Sequence, residues 1–321
     1  MFWKMKYINL DVNEYKLSYK VYLRNKISFL IGDSATGKSR FVGFLERYNR
    51  NKELGIGVNQ DIGVSSSFKN VYTVENKGML QEAIKGEDSL IIVDEMYMNI
   101  ILSNLDLVKK SSNFFLFIFR DLIKNVTTGI YDILEFSSST KNGVTENITR
   151  SLYSFEEYSI NPEYTLVEDS GSGFKFYSRV LNVKCLSAKG KTRVIKNILR
   201  LLQQTDKDIL VIVDEVGFGY EFSKFMSYDL RELERVYFWC PYSFEYVLLN
   251  SGMFANIGDI FEECDWCKYS TVEKFVEGKL GRLLKERNYC YNKGSDIYQI
   301  FQGYISSIFC RNFDNYEKLL K

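Results

Sequence analysis

The stretch ISFLIGDSATGKSRFVGFLERY, residues 27–48, constrains this chain more than any other. An apolar run leads into a glycine-bearing turn, and apolar residues then recur at helical spacing, the pattern of strand, loop and helix. The turn, Gly32-Asp33-Ser34-Ala35-Thr36-Gly37-Lys38-Ser39, matches G-x-x-x-x-G-K-[ST] in full. Gly32 and Gly37 allow the backbone to curl until successive N–H groups face one anion. Lys38 has the reach of a β- or γ-phosphate, and the helix N-terminus at Ser39 and Arg40 favours negative charge. The pattern predicts ATP held by Gly32, Asp33, Ser34, Ala35, Thr36, Gly37, Lys38, Ser39 and Arg40, with Mg²⁺ on Ser39. A glycine-rich βα turn that binds nothing is the competing expectation.

A second apolar run, in LIIVDEMYM at 90–98, ends in Asp94 and Glu95. Beside a phosphate loop, Asp94 is expected in the Mg²⁺ shell and Glu95 as the carboxylate that polarises the attacking water. A third run, FFLFIF at 114–119, ends in Arg120. Open α/β sheets bind ligands at carboxyl strand ends, so Arg120 is expected near the γ-phosphate, or else solvated or salt-bridged at the strand end. IYDILEF and SLYSFEEYSI read as closing strands, and Asn161-Pro162 as the boundary between domains of residues 1–160 and 161–321. With INLDV and YKLSYKVYL ahead of GDSATGKS, the first part resembles a trimmed ABC-class ATPase domain. No LSGGQ-like signature precedes Asp94 and no histidine can act as a switch residue, so ATP binding is better supported than rapid hydrolysis.

The chain contains no histidine at all. That excludes Ser-His-Asp and Cys-His catalysis, HExxH zinc sites and histidine general bases. Carboxylates, Lys, Arg, hydroxyls, thiols and a bound metal remain. The 42 Lys and Arg against 41 Asp and Glu leave a net charge of +1, so any basic surface must be local. The absence of a bilayer-length apolar run or a signal-peptide pattern, with six scattered cysteines, predicts the reducing cytoplasm and no membrane.

The second half admits two readings. CLSAKGKTRVIKNILRLL, with Gly190-Lys191-Thr192, precedes LVIVDEVGFG with Asp214 and Glu215, the outline of a second P-loop NTPase. Against it, Cys185 stands where the first loop glycine belongs. Alternatively, EYTLVEDSGSGFKFYSRVL puts Glu168 and Asp169 at a strand end, and the following segments continue a compact βαβ array to Asp214. With SFEYVLL downstream, this array resembles a Toprim (topoisomerase–primase) domain. A P-loop ATPase followed by Toprim is similar in layout to the overcoming-lysogenization-defect nucleases and related defence proteins. The expected fold is α/β, a P-loop NTPase sheet followed by a second, Toprim-like α/β domain with a helical C-terminal part. The resemblance implies Glu168 as a catalytic or metal-binding acid and Asp214 as a metal ligand. Val216 stands where an Asp-x-Asp pair would place its second acid. Glu215 faces the other way on a strand unless the turn begins at Asp214, and Asp169 is the candidate to compensate.

The function implied is ATP-dependent, Mg²⁺-dependent nucleic-acid processing or defence, by a homo-oligomer or with a partner protein. A slow nucleotide-dependent switch or scaffold without nuclease activity is the alternative. A small-molecule kinase would need an Arg-rich lid, which the sequence lacks. Lys184, Lys189, Lys191, Arg193, Lys196 and Arg200 are expected to contact phosphate or to form a solvated helix face over Val194, Ile195, Ile198 and Leu199. Cys264, Cys267, Cys290 and Cys310 are read as buried thiols in preference to a zinc site. Glu215 and Glu245 are read as supporting residues.

Overall fold

The computed structural model describes residues 6–32, 36–54, 62–154, 160–228, 231–254, 257, 272–310, 312–313 and 316–321. It is an α/β protein of two compact units, Met1–Ser154 with Phe261–Val272, and Phe155–Ile260 with Glu273–Lys321.

The first unit is built on nine strands: β1 (Lys6–Val12), β2 (Leu17–Leu23), β3 (Ile27–Leu30), β4 (Ile62–Ser66), β5 (Asn70–Thr73), β6 (Ser89–Asp94), β7 (Phe114–Ile118), β8 (Ile133–Lys141) and β9 (Val144–Ser151). They form one mixed sheet in the order β4-β1-β2-β9-β8-β3-β7-β6-β5. The run from β8 to β5 is wholly parallel. Parallel strands are covered on both faces, which is why β6 and β7 read as unbroken apolar runs. Leu90 and Ile92 pack with Phe41, Val42 and Leu45 of α1 (Lys38–Glu53) on one face. Ile91, Val93, Phe115 and Phe117 pack on the other against α2 (Lys77–Lys85), α3 (Met98–Leu102) and α4 (Leu105–Lys110).

The far half of the sheet is antiparallel within β4-β1-β2 and within β9-β8, with β2 and β9 parallel between them. The closing strands differ from expectation. IYDILEF does open β8, but its partner β9 is the polar segment VTENITRS, joined to it through Asn142 and Gly143 at φ 52° and 76°. Asn-Gly at two positive-φ positions is a tight hairpin turn, and it starts the returning strand at Val144, ahead of SLYSFEEYSI at 151–160. Of that later segment, residues 155–159 lie outside the described residues.

The second unit carries a four-stranded parallel sheet in the order β11-β10-β12-β13: β10 (Tyr164–Val167), β11 (Lys184–Ser187), β12 (Ile209–Ile212) and β13 (Val236–Trp239). Its helices are α5 (Ser172–Val180), α6 (Val194–Leu202), α7 (Gly219–Met226), α8 (Phe244–Leu249) and α9 (Val272–Glu286), with short helical turns beyond. The segment SFEYVLL is α8, capped by Ser243 Oγ accepting from Tyr246 N at 3.2 Å. On α6, Val194, Ile195, Ile198 and Leu201 are buried and Leu199 only partly so. Among the described residues, no helix is long and apolar enough to cross a membrane.

Candidate functional site

In the first unit, the turn after β3 and the start of α1 line a cavity of about 420 Å³. Gly32, Thr36, Gly37, Lys38, Ser39, Arg40, Asp94, Glu95 and Arg120 all contribute to its wall. Asp33, Ser34 and Ala35 lie outside the described residues. Gly32 and Gly37 adopt φ of 141° and 85°, conformations that an L side chain rarely takes, so both glycines are required by the backbone itself. Lys38 Nζ turns back into the loop, donating to the Gly32 carbonyl and, at 2.8 Å, to Thr36 Oγ1.

Sheet order sets the spacing of this cavity. Strand β7 lies between β3 and β6, so the Lys38 loop and the Asp94 strand end stand about 10 Å apart, two strand spacings. Asp94 follows Leu90 and Ile92 on the α1 face by strand alternation, and its Oδ1 accepts from Met96 N at 3.2 Å. Glu95 Oε2 is 3.3 Å from Arg120 Nε. On α1, burial and then the charges of Glu75 and Asp94 raise the pKa of Glu46.

In the second unit, the chain runs from β10 through α5 to β11 on one side, then through α6 to β12 on the other. The carboxyl ends of β10 and β12 therefore flank the switch point of the sheet, where a crevice opens. Glu168 follows β10 and Asp214 follows β12. Asp214 N donates to Glu168 Oε2 at 3.2 Å, and Phe244 N donates to Asp214 Oδ1 at 2.9 Å. Burial pushes Glu168 up to about 7, opposed by the Asp214 N–H and the Lys191 charge and assisted by Asp169 and Glu273. Burial raises Asp214 as well, reinforced by Glu168, Glu245 and Glu273.

Three expectations for this crevice change. Asp169 is engaged by the helix that follows it: its Oδ1 accepts from Phe174 N at 2.8 Å at the start of α5. Strand alternation does not decide the direction of Glu215, because β12 ends at Ile212 and Glu215–Gly217 is already a 3₁₀ turn with Glu215 buried. The second-P-loop outline also lacks its expected geometry. Cys185, at the place of the first loop glycine, lies inside strand β11, and Lys191 Nζ is turned away to Gly217 O, to which it donates at 3.1 Å.

Glu245 and Glu273 join the field of the acid pair, and Glu245 Oε1 accepts from Tyr291 OH at 2.7 Å across 46 residues of sequence. Glu273 pairs with Lys293 at 2.8 Å. The sequence offered a signal only for Glu245, in SFEYVLL; Glu273 and Tyr291 arrive from helix and loop with no local motif. Lys184, Lys189, Arg193, Lys196 and Arg200 are exposed, whereas Lys191 is half-buried. Cys290 and Cys310 are exposed, against the buried thiols expected, and Cys264 and Cys267 lie outside the described residues. Among the described residues, no three His, Cys, Asp or Glu side chains are grouped to hold a metal ion.

No family model matches the chain, and no curated protein or solved structure matches it either. Chemical meaning therefore rests on the two constellations themselves: a glycine- and lysine-bearing turn sharing a cavity with carboxylates, and a half-buried pair of acids.

Proposed function

We propose that the first unit binds ATP with Mg²⁺ and turns it over slowly. The observation that carries this is the cavity in which Lys38 and Ser39 face Asp94 and Glu95 beside two positive-φ glycines. Lys38 and the N–H groups opening α1 would take the β- and γ-phosphates, and Ser39 with Asp94 would hold the metal. Bound there, Mg²⁺ supplies positive charge against the phosphoryl group. Glu95 is the carboxylate that orients water, so the reaction class is phosphoryl transfer to water. Thermal unfolding of the whole chain tests this. ATP with Mg²⁺ should raise the midpoint of wild type but not of Lys38→Ala; equal midpoints for wild type with and without ATP would overturn it.

A second activity, metal-dependent cleavage of nucleic acid in a Toprim-like second unit, is favoured by one observation: Glu168 and Asp214 side by side at the switch point, each held toward its neutral form. Two carboxylates suit Mg²⁺, which keeps several waters and completes its shell with substrate phosphate oxygens. The exposed Lys189, Arg193 and Lys196 would take backbone phosphates. The assay is plasmid and single-strand cutting with Mg²⁺ or Mn²⁺. Activity that survives Glu168→Gln would remove this site from the account, and absence of cutting in wild type would favour a nucleotide-dependent scaffold.

A further inference from the structure

Within the nucleotide cavity, one ion pair joins groups expected to do different work. Asp94 of β6 is paired with Ile118 of β7, so Glu95 and Arg120 leave adjacent strand ends almost level. Because β7 runs between β3 and β6, Arg120 emerges between the phosphate loop and the Asp94–Glu95 corner. Its Nε lies 3.3 Å from Glu95 Oε2, with the two side chains 73% and 39% exposed. An ion pair that open to water is worth only about 0.2–1 kcal/mol. A phosphate offers the same guanidinium charge-assisted, two-pronged hydrogen bonds, which are stronger.

We propose that Arg120 couples γ-phosphate occupancy to Glu95: it holds the Glu95 carboxylate in an ion pair until a γ-phosphate takes the guanidinium, and the carboxylate is then free to orient water. The coupling rests on the ATP-binding reading of the same cavity and adds a regulatory step to it. ADP, which lacks the γ-phosphate, leaves the pair closed. By linkage, breaking the pair costs affinity for the triphosphate alone, so removing Glu95's charge returns that affinity. Arg120 is thus a positioning residue whose effect is read in the preference for triphosphate over diphosphate.

The test is calorimetric titration of the full chain with Mg²⁺ and either ADP or a non-hydrolysable ATP analogue, for wild type, Glu95→Gln, Arg120→Ala and the double variant. Both side chains are on the surface, so neither substitution threatens the fold. Glu95→Gln should raise the triphosphate-to-diphosphate affinity ratio by about 1.4- to 5-fold, the equivalent of the exposed pair. Arg120→Ala should lower that ratio, and Glu95→Gln should then change nothing further. A ratio that Glu95→Gln leaves unchanged, or raises equally with and without Arg120, overturns the coupling while ATP binding stands. If wild type takes up neither nucleotide, the ATP-binding reading falls and the coupling falls with it.

Discussion

Glu168 is an acid whose folded environment disfavours its charge. Its pKa rises from an ordinary 4.5 to about 7, first through burial. Between those values the folded chain holds a proton that the unfolded chain has released. The associated stability is full below pH 4.5 and is lost as pH rises through about 7. Asp214 shifts in the same direction, while Lys191 opposes the shift of Glu168. In metal-free buffer, urea unfolding from pH 5 to pH 8 should therefore show falling stability, and Glu168→Gln should reduce that slope. An identical slope in the variant would mean that Glu168 is ionised throughout. A second single-residue outcome concerns Gly171. A Cβ there would stand 2.2 Å from the Lys293 carbonyl oxygen, which accepts from Ser172 N at 2.9 Å. Its backbone is not in the left-handed region, so the cost of Gly171→Ala is displacement of the 292–294 loop, about 1–3 kcal/mol by chemical denaturation.

At the scale of elements, one buried side chain organises three of them. Asn113 Oδ1 accepts from Ser89 N at 3.0 Å, while Nδ2 donates to the carbonyls of Ala83, Ile84 and Gly86. The end of α2 is thereby tied to the beginnings of β6 and β7. Asn113→Leu would leave buried backbone groups without these partners and should cost about 2–4 kcal/mol in urea unfolding, far more than an exposed Asn. Elements that satisfy themselves locally were legible in the sequence. β3, α1, β6 and β7 each carry their apolar periodicity within one short run, and the phosphate loop carries its own glycines. β9 was not, because VTENITRS is largely polar and is a strand only through its pairing with β8 and β2. β13 is another case: VYFW becomes a parallel strand by its register with Ile209–Ile212, far upstream.

Across the whole molecule, the candidate sites divide by how far apart in sequence their parts lie. The Gly32–Arg40 loop announces itself, and Asp94 and Arg120 are found because each ends an apolar strand. A salt bridge at Arg120 was among the expectations for that strand end, but its partner was not; sheet order makes that partner Glu95. Around Glu168 and Asp214, Glu245 was marked by SFEYVLL, whereas Glu273 and Tyr291 join only through tertiary packing, so no motif could reveal them. Conversely, Asp169 had the right residue type and place, yet its Oδ1 accepts from Phe174 N at the opening of α5. Such an allocation depends on backbone geometry that residue types alone do not carry.

The most direct measurement is calorimetric binding of a non-hydrolysable ATP analogue with Mg²⁺ to the intact chain and to Lys38→Ala. One site per chain is predicted, with the substitution weakening it about 10- to 100-fold, the worth of a lost charge-assisted contact. Equal binding by both proteins, or no binding by wild type, would contradict the account.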